Sequence, residues 1–388
     1  MTTILARLFA LAMAVAVTLA ASSAAPRQVW VFFGTHTDQP GHGFSVARFD
    51  TRTGTLSTPE FLQQSSAPAL YVISPDGRHI YTVNEVNTYQ GWPTGFLSAY
   101  TVDPATAHMT LLNEQPSGGA GPAYISLDKT SHYVFVANYA GSSIAAFALK
   151  PDGSIGERTA FFQHTGTGFN PARQKAPHPH SIRVDPTNHF VLVPDLGLDK
   201  IFVYRFDAKD GSLTPNDPPS VSVTPGAGPR HFDFDPTGRF VYVMTEMANA
   251  VAVFTWDSSR GTLTEVQTIS SLPEGFTGKN TAAEIRVHPS GRFLYCTNRG
   301  DDSIAVFKVN PADGRLTFVE RVPTQGKLPR NFDFDPTGHW LLVANYDSNN
   351  VVLFKIDLHT GKLTQHGVPV STPDPFAVRF LPIVPAKH

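Results

Sequence analysis

Five stretches of the chain repeat one alternation of polar turn and apolar strand: "SPDGRHIYTVNE" (74–85), "DPTNHFVLVPDL" (185–196), "DPTGRFVYVMTE" (235–246), "HPSGRFLYCTNR" (288–299) and "DPTGHWLLVANY" (335–346). A degenerate copy, "LDKTSHYVFVANY", occupies 127–139. With the turn proline as landmark, and Lys129 standing in its place in the degenerate copy, the copies lie 47 to 57 residues apart. A period of that size marks a propeller or a solenoid. Each copy predicts a short apolar strand, a Pro/Gly turn, a second strand such as Phe240-Val241-Tyr242-Val243, and a third such as "AVAVFTWD" (250–257). Turns such as "RGTLTEV", "DGRLTFV" and "TGKLTQH" then start a fourth strand. Antiparallel strands in fours, with nothing helical between them, make a propeller blade.

The units fall near 28–63, 65–115, 119–164, 177–223, 227–269, 281–322 and 327–370. The first lacks its opening strand, and the tail "PFAVRFLP" (375–382) resembles one. The expectation is an all-β, seven-bladed β-propeller with four-stranded antiparallel blades, its ring closed when the C-terminal strand completes blade one. Closure also removes an exposed sheet edge. An open solenoid or two sandwiches would not explain a constant unit with a spare terminal strand.

Composition agrees: 30 Gly, 32 Pro and frequent Phe suit strands joined by tight turns. A net charge of −2 gives no field to draw nucleic acid or anionic lipid, so any anion binding is local. The N-terminus reads as an export signal, with Arg7 as the positive region, Leu8 to Ala20 as the apolar core and Ser22-Ser23-Ala24 as the cleavage site. Its roughly 13 apolar residues are short against the ~20 that span a bilayer, which favours cleavage over an anchor. Residues 1–24 are therefore expected to be a signal peptide and 25–388 a single exported propeller, periplasmic or secreted, without a membrane partner. Cys296 is the only cysteine, which excludes an intramolecular disulfide, and its apolar strand makes it a core residue rather than a nucleophile.

The repeat also separates structural from functional positions. Each blade's first strand runs from one face of the disc to the turn, and the second returns. Residues six before and ten after the turn proline should therefore meet around one mouth of the channel. Nine after it stand Asn84, Asn138, Asp195, Thr245, Asn298 and Asn345, small hydrogen-bonding residues suited to a strand-ending turn and read as structural. Six before it stand Ala69, Ala123, His180, Arg230, Ala283 and Arg330; ten after it, Glu85, Tyr139, Leu196, Glu246, Arg299 and Tyr346. Ionisable groups concentrate in blades four to seven. In "KAPHPHS" (175–181), His180 takes a mouth position, while His178, two residues earlier, need not point inward. A metal site would need more His, Cys or carboxylate ligands, and the neighbouring slots offer arginines, which repel cations. Acid/base or hydrogen-bonding duty is the preferred reading of His180, a satisfied structural histidine the alternative. No metal or cofactor is expected.

At "PHPHSIRVDP…VLVPDLGLDKIFVYRFD", "GAGPRHFDFDPTGRFVYVMTE", "AAEIRVHPSGRFLYCTNRG" and "LPRNFDFDPTG" the chain resembles the lactonase-type seven-bladed propellers, which include bacterial 6-phosphogluconolactonase and fungal 3-carboxy-cis,cis-muconate cyclase. The resemblance implies a cleft at the channel mouth with one histidine, two arginines and one glutamate, here His180, Arg230, Glu246 and Arg299. Arg330 and Glu284 lie near the mouth by motif and, with His178, are candidate substrate-binding residues. The implied substrate is a small sugar lactone, plain or phosphorylated, and the implied reaction is hydrolysis. Cycloisomerisation of a carboxymuconate and a non-catalytic binding propeller are the alternatives. "NTYQGWPTGF" (87–96) is a candidate lid beside the mouth or a long surface loop.

Overall fold

A computed structural model describes residues 26–384 of the chain; the expected export segment, 1–24, lies outside them. Seven antiparallel sheets form the ring; six have four strands ordered as they occur along the chain, while blade one begins with the C-terminal strand and has its outer edge split into two short strands, Thr55–Leu56 and Glu60–Gln64. Blade five is representative, with strands Pro229–Phe234, Phe240–Thr245, Ala250–Asp257 and Thr262–Ser270.

The turn between the first two strands shows why the repeated motif folds this way. The Asp235 carboxylate accepts the backbone N–H groups of Thr237 at 3.0 Å, Arg239 at 2.8 Å and Phe240 at 2.7 Å. Gly238 then takes φ +70°, where a Cβ is disfavoured. In copies without glycine, Asn188 and Ser131 occupy the same left-handed region.

Closure follows the expectation. Ala377–Pro382 is the innermost strand of blade one and pairs antiparallel with Gln28–Gly34, Gly34 opposite Ala377 and Val29 opposite Pro382. Trp340 of blade seven packs against Phe49 of blade one and donates its Nε1–H to Thr51 O at 2.7 Å. Apolar side chains from facing sheets fill the space between blades, so each blade buries its neighbour's face. Cys296 is fully buried in one such layer, and burial raises its thiol pKa.

The asparagine positions are latches between blades. Asn138 Nδ2 donates to Ser117 O at 3.2 Å, Asn298 Nδ2 to Ser271 O at 3.1 Å and Asn345 Nδ2 to Thr324 O at 3.1 Å. Each joins a second strand to the end of the preceding blade's last strand. At blade four the latch becomes a carboxylate: Asp195 Oδ2 lies 2.6 Å from His164 Nδ1, and Asp195 Oδ1 accepts the N–H groups of His178 at 2.7 Å and Gly197 at 3.0 Å.

Two departures from a regular blade bear on function. The first strand of blade four shrinks to Arg183–Val184 because "HPHS" interrupts it, leaving only an isolated bridge between Pro179 and Asp195. In blades five, six and seven the first strand carries a bulge close to the mouth, between Pro229 and Phe232, Ala282 and Ile285, and Pro329 and Asn331. A bulge adds a residue to one strand and re-aims side chains, so neighbours that would alternate between faces can both turn inward.

Candidate active site at the channel mouth

Arg230 enters from the first strand of blade five, Glu246 stands just past the end of its second strand, and Arg299 ends the second strand of blade six. Glu246 Oε2 lies 3.0 Å from Arg230 Nε and 2.8 Å from Arg299 Nη2. His180 Nε2 is 3.9 Å from the same oxygen, close but beyond hydrogen-bond reach. The four residues selected by repeat and resemblance thus share one cluster.

A fifth member has no counterpart in the repeat. Arg173 projects from the segment between blades three and four and places Nη2 2.7 Å from Glu246 Oε1. Its side chain is 40% exposed, against 2% for Arg230 and 8% for Arg299, so it covers the carboxylate from the solvent side. The signal that could have found it is the cationic "ARQK" run directly ahead of the two histidines.

Burial alone would raise the Glu246 carboxyl, but the charges of Arg299 and Arg230 and the Arg173 hydrogen bond outweigh it and hold the pKa down at about 2. Glu246 is therefore an ionised organiser of cations. Burial, then repulsion by Arg299, pulls Arg230 down to about 9, and at neutral pH it stays protonated against its carboxylate. Backbone carbonyls occupy further donors: Arg230 Nη1 reaches Ala283 O at 2.8 Å, and Arg299 reaches Thr281 O at 3.2 Å and Ala282 O at 3.0 Å. Arg230 Nη2 and Arg299 Nη1 make no hydrogen bond among the described residues.

Burial, followed by the charge of Arg230, lowers the His180 pKa well below the ordinary value, so the imidazole is neutral at physiological pH. Its backbone N–H is fixed to Pro194 O at 3.0 Å, and its Nδ1 is buried without a partner among the described residues. His178 is displaced from the cluster: it stacks on Tyr139 with ring centroids 4.4 Å apart and directs Nδ1 to Tyr139 O at 3.0 Å.

Arg330 lies across the mouth, its guanidinium over the Phe376 ring at 4.0 Å and its Nε buried and unpartnered among the described residues. His36 stacks on the same Phe376 ring at 4.5 Å and lies 3.4 Å from Glu85. Glu284 is not open to the mouth. It is buried one residue deeper along its strand, with Oε1 3.1 Å from His231 Nδ1 and Oε2 on Asn331 Nδ2.

The 87–96 segment folds on itself through paired backbone bonds of 3.0 Å between Tyr89 and Trp92. Tyr89 stacks on Phe96 at 4.2 Å and donates to Glu114 at 3.0 Å, which ties it to its own blade, while Trp92 is exposed. No cluster of three or more His, Cys, Asp or Glu side chains with metal-holding geometry occurs among the described residues.

Residues 30–380 match the family model described as lactonase, 7-bladed beta-propeller. A Bacillus subtilis protein named 6-phosphogluconolactonase is 37% identical over 350 residues, covering 90% of this chain and 97% of its own. A Formosa agariphila protein of the same name is 33% identical over 342 residues, covering 86% and 94%. Among solved structures, a Pseudomonas aeruginosa periplasmic gluconolactonase superposes with a TM-score of 0.87 at 34% identity, covering 92% of this chain and 100% of that one. The chain belongs to the lactonase, seven-bladed β-propeller family.

Proposed function

We propose that this protein hydrolyses a sugar lactone, gluconolactone-like or 6-phosphogluconolactone-like, at the channel mouth. The observation that carries the reading is the single carboxylate of Glu246 holding Arg173, Arg230 and Arg299 together. Three guanidiniums on one carboxylate leave positive charge and N–H donors facing the opening, where a lactone carbonyl gains negative charge as water attacks.

In this mechanism Arg230 and Arg299 donate to the developing oxyanion through the N–H groups that the protein leaves free. The fixed charge of a guanidinium and its several N–H donors suit an oxygen that gains negative charge. Arg330, stacked on Phe376 and without a carboxylate of its own within salt-bridge distance among the described residues, anchors an anionic or hydroxyl-rich part of the substrate; Arg173 closes over it. His180, neutral at working pH, hydrogen-bonds the lactone. Glu246 positions the arginines and is too acidic to take a proton from water efficiently near neutrality.

Export follows from the signal-like N-terminus and is supported by likeness to a periplasmic gluconolactonase. A plain gluconolactone is then the first substrate to test. Purified mature protein should hydrolyse it above the buffer rate, and Arg230→Ala should lower kcat/KM by roughly a hundredfold or more, about 3 kcal/mol of transition-state stabilisation. Unchanged turnover in Arg230→Ala would refute this assignment.

A further inference from the structure

Beside the arginine cluster the channel mouth holds a small cavity, a throat lined by Glu85, His180, Arg230, His231, Arg330 and Asn331 among others. Its free volume is about 10 Å³, on the scale of one water molecule and far too small for a sugar ring. Three buried polar atoms among these residues have no partner among the described residues: His180 Nδ1, His231 Nε2 and Arg330 Nε. Orphaned groups around a water-sized space are what an ordered water satisfies.

The two histidines differ in what stands behind them. His231 Nδ1 lies 3.1 Å from Glu284 Oε1, while the other oxygen of that carboxylate is held by Asn331, whose Oδ1 in turn accepts Val378 N–H at 3.0 Å and Arg379 Nη1–H at 3.1 Å. A carboxylate on Nδ1 fixes the proton there and leaves Nε2 as a lone pair. His180 has no such support, since its nearest carboxylate oxygen, 3.9 Å away, is already shared by Arg230 and Arg299. His231 also owes its place to the bulge in blade five, which lets it face the channel beside Arg230.

We propose that His231, oriented by Glu284, is the general base that activates the hydrolytic water held in the throat. The proposal rests on the lactonase reading. In the step, His231 Nε2 takes a proton from water as the water oxygen bonds to the lactone carbonyl carbon, and the carbonyl π pair moves to oxygen facing Arg230 and Arg299. The intermediate collapses, the ring C–O bond breaks, and the ring alkoxide takes the proton from the imidazolium. The open-chain acid then loses its own proton to solvent. Arg330 Nε, beside the same water, makes it more acidic.

Glu284 and Asn331 face His231 from blades six and seven, Arg230, Arg330 and His180 flank it, and Tyr124 meets its ring edge-on at 5.0 Å. Burial, then the charge of Arg230, brings its pKa down to about 4 against the opposing pull of Glu284, so the base form prevails above that pH.

The test compares wild type and His231→Asn, whose amide can still donate to Glu284, on a lactone that wild type hydrolyses and on the matching unreactive lactam. A base role predicts at least a hundredfold loss in kcat, with the lactam Kd within threefold. Retained kcat, or loss of lactam binding together with kcat, overturns the proposal. If His231→Asn does not fold, Glu284→Gln must show the same split, with kcat down at least tenfold and lactam Kd unchanged, or the proposal fails. A wild type inactive on every lactone sinks the lactonase reading itself, whereas an active wild type matched by its variants sinks only the base assignment.

Discussion

The channel carries two arrays of charge, and they are built on opposite terms. Deep in it, Arg183 meets Asp233 at 2.8 Å, Arg286 meets Asp333 at 3.4 Å, and Arg379 lies 3.8 Å from Asp333. Arg183 also donates to Phe232 O at 3.0 Å, Arg286 to Phe332 O at 3.0 Å and Arg379 to Val378 O at 2.6 Å. With Glu284 acting on Arg286 and Arg379, these cations are matched by carboxylates. These residues stand three positions along the first strand from the mouth slots, about 10 Å deeper at ~3.3 Å per residue. Among the described residues, Arg173, Arg230, Arg299 and Arg330 at the mouth face only Glu246 and Glu85, and buried polar atoms there lack partners. Balanced charge needs no further partner; surplus charge and unpaired atoms mark where a ligand would complete the structure.

Glu246→Gln should break the mouth array most. It leaves the buried guanidiniums of Arg230 and Arg299 without their carboxylate, and removal of one partner from a buried ion pair costs about 3–5 kcal/mol of stability. The pH dependence has a defined sign. The folded-state pKa, about 2, lies below the ordinary value of 4.5, so the stabilisation is fully present above about pH 4.5 and is lost as pH falls towards 2. Denaturant melts at pH 7 and pH 3 should show the gap between wild type and Glu246→Gln narrowing at the lower pH.

Asp233→Asn tests the deep array. It unpairs Arg183 and weakens the contact with Val287 N–H at 3.0 Å, so about 1–3 kcal/mol of stability should be lost while kcat/KM stays within threefold. A large loss of activity without loss of stability would erase the distinction between the two regions.

Arg173→Ala should have the smallest effect, because that side chain is partly solvated and comes from outside the blades. Loss of kcat/KM of about tenfold, carried mostly by KM, is expected, and steady-state kinetics separates the two.

The ring was legible because the turn chemistry, Asp-Pro-x-Gly with a left-handed glycine, recurs in sequence and sets each hairpin. Pairing across that hairpin places Arg230 beside Glu246 from spacing alone, as the 3.0 Å contact bears out. Two features were not legible. The bulges in blades five to seven shift register without a sequence mark, so slot counting selects Arg230 and leaves out His231 beside it, while motif likeness sets Glu284 near the mouth although it is buried against His231 and Asn331. Arg173 lies between repeats, where comparison among copies has nothing to align. Asp195, placed among the structural turn residues, does fill a latch, and it also binds His164 and the His178 N–H, so it holds the backbone two residues ahead of His180.

The most direct measurement is a crystal structure with an unreactive gluconolactam. The account predicts the lactam ring at the mouth, its carbonyl oxygen about 2.7–3.1 Å from an Arg230 or Arg299 nitrogen. A lactam bound on the opposite face, or between blades with those arginines untouched, would contradict it.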